Sequence, residues 1–479
     1  MTLKIYDTLT RKKRPFEPVH EGEARMYVCG MTVQGKPHVG HMRAAVVADM
    51  IRRHLEFSGY KVTLVNNFTD IDDKIIAIAD KEDVPYQEIA RRNMEAYLDA
   101  VNRLGLVPAT HYPRATEHIP EIVALIQKLV DKGIAYPSGG DVYYRVSKDH
   151  EYGKLSGRRP DELRAGARVE VGEAKEDPLD FTLWKGAKPG EPSWPSPWGP
   201  GRPGWHIECS AMAMAILGET FDLHGGGMDL LFPHHENEIA QSEAATGKPF
   251  ARYWTHNGLV NLGGQKMSKS TLHFFLFEDV VREVDPAVIH FYLLSTHYRS
   301  PIEFNEDRLA EAGKGLGRLV ETRDRVETIL GPEGPRRPGS ALASLRAGDS
   351  CELPEDLAAA GRIFLEAMDD DFNSARALGQ LFDASRALNR LVDEGVSDSA
   401  GLSDGYRLLI DMLAVLGLRW PERRMDDIPQ QIKELADLRW NAKTRRDWAE
   451  ADRLRDEVAL LGWAVLDTAD SYALKPLIK

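Results

Sequence analysis

The sequence predicts an α/β protein: a parallel-sheet domain interrupted by an insertion, then an all-helical domain, then a small C-terminal unit. Three observations predict it. Residues 25–33 (RMYVCGMTV) and 61–66 (KVTLVN) are apolar runs that flank a Gly/Pro-containing loop and an amphipathic helix at 41–57. Strand, loop, helix and strand make a βαβ unit, and a parallel sheet takes its ligands at the carboxyl ends of its strands. Residues 331–356 (GPEGPRRPGSALASLRAGDSCELPED) have the Pro, Gly and charge of a linker. Beyond them the helical period runs to about residue 420, and a short final segment follows.

Between these landmarks, residues 85–135 read as helical and 141–146 (DVYYRV) as a strand, and helical periodicity returns over 234–246 and 278–294. Residues 185–204 (KGAKPGEPSWPSPWGPGRPG) suit no regular element and are too apolar for a free linker, so an ordered loop leading into a site is expected. The expected units are residues 1–305 with the insertion at about 120–200, a helical connection and linker at 306–345, a helical domain at 346–425, and a C-terminal region at 426–479.

With 479 residues, 43% of them hydrophobic, the chain can bury a large core in more than one domain. It shows neither a leader-like start nor an apolar run of about 18 residues, which predicts a soluble cytoplasmic protein without a membrane anchor. Three scattered cysteines, Cys29, Cys209 and Cys351, point to a reducing compartment rather than a disulfide framework. The net charge of −13 argues against a nonspecific grip on nucleic acid, though not against a local basic face. Residues 431–479 hold nine Lys plus Arg and nine Asp plus Glu, so the acidic excess lies before them.

Two strings carry candidate phosphate chemistry. His38-Val39-Gly40-His41 sits between the first strand and the first helix, where imidazoles can donate to phosphate oxygens, Gly40 admits a nucleotide close to the backbone, and the helix N-terminus favours negative charge. Lys266-Met267-Ser268-Lys269-Ser270 follows the turn-forming NLGGQ, and two lysines on a Gly-flanked loop can close over a triphosphate. Taken singly, the first is also compatible with a turn bearing surface histidines and the second with a solvated basic turn. No G-x-x-x-x-G-K-[ST] occurs, which argues against a P-loop ATPase, and the HGGG string has no G-x-S-x-G beside it to make a hydrolase. His234 and Glu238 are four apart on a predicted helix and share a face, while Cys29 ends the first strand. Spacing alone does not make these a metal site, since a lone cysteine also serves as a small buried apolar residue.

Longer blocks are more specific. Cys29 to Val33 (CGMTV), Asn67 to Ile75 (NFTDIDDKI), Gly201 to Ser210 (GRPGWHIECS), His224 to Leu230 (HGGGMDL), Phe232 to Glu238 (FPHHENE) and the KMSKS loop, in that order, resemble the cysteinyl-tRNA synthetases, a class I aminoacyl-tRNA synthetase family. The similarity extends through Asp369-Asp370-Asp371-Phe372-Asn373 into the tail. It implies a Rossmann-like catalytic domain carrying the insertion and the KMSKS loop at 266–270, a DALR-like helical domain and a C-terminal anticodon-binding unit. It further implies one Zn2+ per chain on Cys29, Cys209, His234 and Glu238. Gly30, Thr69 and Trp205 would line the amino-acid pocket. Gly40, Gly227, Asp229 and Lys269 would bind ATP, and His38, His41, Lys266 and Lys269 would be catalytic. L-cysteine, ATP with Mg2+ and tRNA(Cys) would be the substrates of a monomer.

The chain departs from the commoner family pattern at Met31 and Gln34, where Pro and Tyr are more usual, at His41 in place of Asn, and at Thr271-Leu272-His273 in place of Leu-Gly-Asn. None of these is an implied zinc ligand or loop lysine. Two rivals are weighed: a cysteine ligase of mycothiol synthesis, which would share the zinc and ATP sites but transfer to an amino sugar, and an inactive RNA-binding paralogue. In the tail, Arg439, Lys443 and Arg446 fall at i, i+4 and i+7 and are expected to form one basic helical stripe, with Trp440 and Trp448 nearby. A solvated charged face is the ordinary reading of such a stripe, and the resemblance turns it toward the anticodon end of tRNA.

Overall fold

The chain opens with a hairpin, β1 (Lys4–Asp7) and β2 (Lys12–Pro15), before its first long strand, β3 (Glu23–Thr32), in the computed structural model. This structure describes residues 2–159, 175–262, 276–331, 334–335, 339–349, 353–395, 399–421, 430–467 and 471–476. β3 leads into α1 (Val39–Phe57) and α1 into β4 (Lys61–Thr69), so the expected βαβ unit forms with parallel strands. β4 runs past the expected residue 66 because Phe68 and Thr69 pair with Met31 and Thr32 beyond an irregularity in β3. Met42, Val46 and Met50, four apart, form the wholly buried face of α1.

After α2 (Asp73–Glu82), the stretch read as one helical region is two helices, α3 (Tyr86–Arg103) and α4 (Ile119–Asp131). Gly105, at a φ of 71°, ends the first, and the connection lies along β4, where His111 and Arg114 bridge to Val65 and Phe68. Next comes an antiparallel sheet of β5 (Ala135–Ser138), β6 (Asp141–Tyr144), β7 (Phe181–Gly186) and β8 (Gly201–Pro203), with Ile122, Ile126 and Trp184 in a separate core beneath it. β6 stops at Tyr144, short of the expected residue 146, and the Val146 amide donates to Asp180 instead, at 2.9 Å. The Pro-rich loop is ordered, with Trp194 bridged to Gly201.

α5 (Trp205–Leu217), β9 (Phe221–Gly227), α6 (Glu236–Thr246) and β10 (Ala251–Asn257) complete the parallel sheet, ordered β10-β9-β3-β4. The order reverses between β3 and β9, so the ligand crevice belongs at their carboxyl ends. β11 (Val260–Leu262) pairs with β12 (Ile302–Phe304), and α7 (Phe277–Glu283) and α8 (Pro286–Leu294) replace the single helix read over 278–294. The break has a plain cause: Pro286 starts a new helix and the Asp285 carboxylate caps it, accepting from the Ala287 amide at 2.8 Å.

The helical part comprises α9 (Glu306–Leu330), α10 (Ala341–Ala347), α11 (Glu355–Asp369), α12 (Ser374–Asp393) and α13 (Ser399–Val415). α10 falls inside the stretch read as a linker, and it is packed rather than free: Ala341 and Leu342 are buried. The core is continuous from α1 and β3 into α11, α12 and α13. The last unit is a helical pair, α14 (Gln430–Thr444) and α15 (Trp448–Leu460), with a hairpin of β13 (Trp463–Asp467) and β14 (Tyr472–Pro476). Its small core is Ile432, Ala436, Val458 and Val465.

Three consecutive aspartates close the seam between sheet and helices. Asp369 accepts from His54 of α1 and from Arg346 of α10, both at 2.8 Å, and Asp370 accepts from Lys13 of β2 at 2.7 Å. Asp371 accepts from the Tyr298 hydroxyl at 2.8 Å, Arg299 at 2.7 Å and the Tyr6 amide at 2.9 Å. Burial opposes the charge on Asp369, but the hydrogen bond from His54 and then the contact with Arg346 hold its carboxyl below the ordinary value. Burial also lowers the His54 pKa, so the pair is an ionised carboxylate facing a neutral imidazole. A depressed carboxyl pKa contributes stability above the unfolded value, near 3.9, and loses it as pH falls through the folded one. Asp369→Asn should therefore cost about 1.5–3 kcal/mol at neutral pH. Urea titrations should show the gap from wild type shrinking below about pH 4, where the unfolded carboxylate is protonated first, and closing as pH falls through the lower folded value.

Candidate active site

The carboxyl ends of β3, β4 and β9 and the first turn of α1 enclose a cleft of about 530 Å³. Its rim is built by the HVGH string. His38 caps α1: its Nδ1 accepts from the His41 amide at 3.3 Å, and the Nδ1 of His41 accepts from the His38 amide at 3.2 Å. The two rings stack with centroids 3.6 Å apart. With each Nδ1 serving as an acceptor, each neutral ring carries its proton on Nε2. Burial lowers His38 to about 4 and His41 to about 3, so both are neutral near pH 7 and act by hydrogen bonding rather than by net charge.

At the same cleft four donors converge from separate elements. Cys29 comes from β3, Cys209 from α5, Glu238 from α6 and His234 from the wide turn Leu231–His235 ahead of it. The regular helix thus starts at Glu236 rather than at 234, yet His234 and Glu238 still meet, Nε2 to Oε1, at 3.1 Å. The Cys29 and Cys209 sulfurs are 3.8 Å apart and Cys29 Sγ is 3.2 Å from Glu238 Oε1. Tetrahedral zinc bonds of about 2.3 Å to sulfur and 2.0–2.2 Å to nitrogen and oxygen require separations of about 3.3–3.8 Å, so the set fits such an ion with little movement. The hydrogen bond from Cys29 brings the Cys209 thiol down to about 6, while burial drives Cys29 well above its ordinary value. Burial works against charge on His234 and on Glu238. Their mutual attraction nevertheless raises the imidazole to about 10, and His224 together with His234 holds the carboxyl far below its usual range.

A second donor set, Cys29, His224, His235 and Glu238, also lies within 4.8 Å of itself. It sits behind the first. His224 already meets Glu238 Oε2 at 2.8 Å, His235 meets His256 at 2.8 Å, and neither His224 nor His235 lines the cleft.

Gly30, Thr69 and Trp205 stand around the first set. A Cβ on Gly30 would overlap the Asn67 carbonyl, and the Thr69 hydroxyl donates to Glu208 at 2.8 Å. The Trp205 ring, 40% exposed, lies 4.4 Å from His234. Gly40, Gly227 and Asp229 line the cleft near His38 and His41. Lys266, Lys269, Cys351 and Thr271-Leu272-His273 lie outside the described residues.

Three neighbours escaped the sequence reading: half-buried His206, whose Nδ1 is 2.9 Å from that of His234, and the buried His224 on Glu238 and Glu208 on Thr69. The signal was present in the blocks themselves, where polar residues recur among apolar ones that have no other use for them.

The basic stripe of the tail does not form. α14 ends at Thr444 and Arg446 turns to a φ of 62°, off the helix face. Arg439, 6% exposed, is paired with Asp467, and Lys443 meets the same carboxylate at 2.9 Å. Trp440 is near Tyr472, and Trp448 is exposed.

Residues 15–314 match the family described as tRNA synthetases class I (C) catalytic domain, and residues 363–419 match the DALR domain. A cysteine–tRNA ligase of Geobacter sulfurreducens is 48% identical over 99% of this chain and 100% of its own length. One from Geobacillus thermodenitrificans is 48% identical over 98% and 97%. Among solved structures, the methionyl-tRNA synthetase of Mycobacterium tuberculosis with methionyl-adenylate superposes at a TM-score of 0.55 and 16% identity, covering 89% of this chain and 96% of that one, a likeness of fold alone. Identity near one half along the whole chain, over a cleft lined by a thiol-rich donor set and the HVGH turn, places the chain in the cysteine–tRNA ligase family of class I aminoacyl-tRNA synthetases.

Proposed function

We propose that the cleft activates L-cysteine with ATP and passes it to the 3′ end of tRNA(Cys), with His38, His41, Lys266 and Lys269 catalytic and Cys29, Cys209, His234 and Glu238 holding one Zn2+. The observation that carries the reading is the meeting of two thiols, an imidazole and a carboxylate at the cleft that the HVGH turn also lines. Zinc bound there would take the substrate thiolate as a ligand and leave serine's protonated hydroxyl poorly held, a discrimination beyond the roughly 10- to 200-fold that an apolar pocket achieves between near-isosteres.

The chemistry needs no covalent enzyme intermediate. A carboxylate oxygen of cysteine attacks the α-phosphorus of ATP, which enters with Mg2+, and the bond to the bridging oxygen breaks to release pyrophosphate. A terminal ribose hydroxyl of tRNA then attacks the activated carbonyl and AMP leaves. Trp205, Gly30 and Thr69 bound the amino-acid end, while Gly40, Gly227 and Asp229 receive the nucleotide. Neutral His38 and His41 donate hydrogen bonds to phosphate oxygens, and the lysines supply the positive charge.

The match to the DALR domain and the full-length likeness to cysteine–tRNA ligases favour this over a ligase acting on an amino sugar. Intact metal and phosphate signatures disfavour a merely RNA-binding paralogue. Among the described residues no helix is long and apolar enough to cross a membrane. We place the enzyme in the cytoplasm as a monomer, with domains divided as the sequence suggests and residues 426–479 meeting the anticodon end. The test is aminoacylation with cysteine, ATP and tRNA. Truncation before residue 426 should leave pyrophosphate exchange intact and raise the KM for tRNA. Charging of an amino sugar with tRNA left uncharged would overturn the reading.

A further inference from the structure

Arg43 is wholly buried on the second turn of α1, and among the described residues its guanidinium bonds only to main-chain carbonyls. Nη1 donates to Gly258 at 2.8 Å and Leu259 at 3.0 Å, and Nη2 donates to Tyr298 at 3.4 Å and Ser300 at 2.5 Å. The four acceptors belong to two chain segments. The first, Gly258 and Leu259, joins β10 to β11 and lines the cleft; the second joins α8 to β12 and is anchored from its far side where Tyr298 and Arg299 donate to Asp371.

The two segments are pressed together. The Gly258 amide donates to the Tyr298 carbonyl at 2.8 Å, the Ile302 amide donates to Leu259 at 3.0 Å, and a Cβ on Gly258 would overlap the Ser300 carbonyl. A planar fork can satisfy carbonyls on both segments at once, whereas a lysine ammonium, a compact point charge with three donors, cannot span the same spread. The residue that ties this wall down stands two positions after His41, on the helix whose N-cap is His38.

We propose that Arg43 is a positioning residue for adenylate formation: it fixes the wall at Gly258 and Leu259 against the HVGH turn, setting the width of the nucleotide end of the cleft without touching the cysteine end. The inference rests on the functional reading above. A displacement of about 1 Å at a site that works by alignment costs about 10²-fold in rate.

The experiment is steady-state pyrophosphate exchange, with zinc content and active-site count measured on each preparation. Arg43→Lys should lower kcat/KM for ATP by about 10- to 100-fold, with the KM for cysteine, zinc content and active-site count unchanged. Gly258→Ala keeps the charge but pushes the segments apart, and should give the same split. Both variants within about threefold of wild type for ATP would overturn the proposal. So would a loss shared equally by cysteine and ATP, or expressed as missing zinc or active sites, because Arg43 would then be a packing residue. Wild-type protein that exchanges no pyrophosphate would instead refute the functional reading beneath it.

Discussion

Cys209→Ala is expected to strip the protein of stoichiometric metal and to abolish cysteine-dependent pyrophosphate exchange. Of the two thiols Cys209 is the one brought down, to about 6, by the hydrogen bond from Cys29, so it is the readier to ligate as thiolate near neutral pH. Its loss leaves Cys29, His234 and Glu238, a three-donor set with one soft sulfur ligand in place of two. Changes behind a metal's ligands cost about 10- to 100-fold in affinity or activity, and removal of a ligand should exceed that. Elemental analysis of the purified variant decides the matter, with Cys351→Ala as the control that retains its metal. A Cys209→Ala protein still holding one equivalent would sink the assignment.

Lys269→Ala should slow adenylate formation by about 10²- to 10³-fold, the usual effect of removing one preorganised stabiliser of developing charge. The structure sharpens the argument. Burial keeps His38 and His41 neutral near pH 7, so they bring no net charge to the departing pyrophosphate, and in the proposed mechanism the two lysines of the KMSKS string supply positive charge beside Mg2+. Cysteine binding should be nearly unchanged, because that end of the cleft is held by the donor set and Trp205. Rapid-quench measurement of adenylate formation, set beside equilibrium binding of cysteine, separates the two; a normal rate of exchange would refute the assignment.

What the sequence disclosed follows from the range of the interactions involved. The βαβ unit was legible because a strand, a loop and an amphipathic helix announce themselves within a few turns, and the pairing of His234 with Glu238 because residues four apart lie close together, even though His234 stands in the turn ahead of the regular helix. The approach of Cys29 to Cys209 spans 180 positions and depends on β3 and α5 meeting across the fold, which no local period encodes, so resemblance had to supply it. The tail stripe failed for the same reason in reverse: Asp467, 28 positions from Arg439, takes up two of its three charges. The break at Asp285-Pro286 does carry a local signal, a capping carboxylate followed by proline, inside an otherwise continuous helical period. Arg43 looked like one more charge on an amphipathic helix; its burial depends on carbonyls from residues 258 to 300.

The run Asp369-Asp370-Asp371 also governs the order in which the molecule can be completed. Its partners Tyr6, Lys13 and His54 are translated 365, 357 and 315 residues earlier. A ribosome has therefore made about three-quarters of the chain before the N-terminal hairpin and the end of α1 acquire their last hydrogen bonds. Contacts of such separation carry a heavy loop-closure cost until the intervening chain is folded. The sheet and its helical neighbour accordingly mature as one vectorial unit, and the first strand made is among the last to be locked.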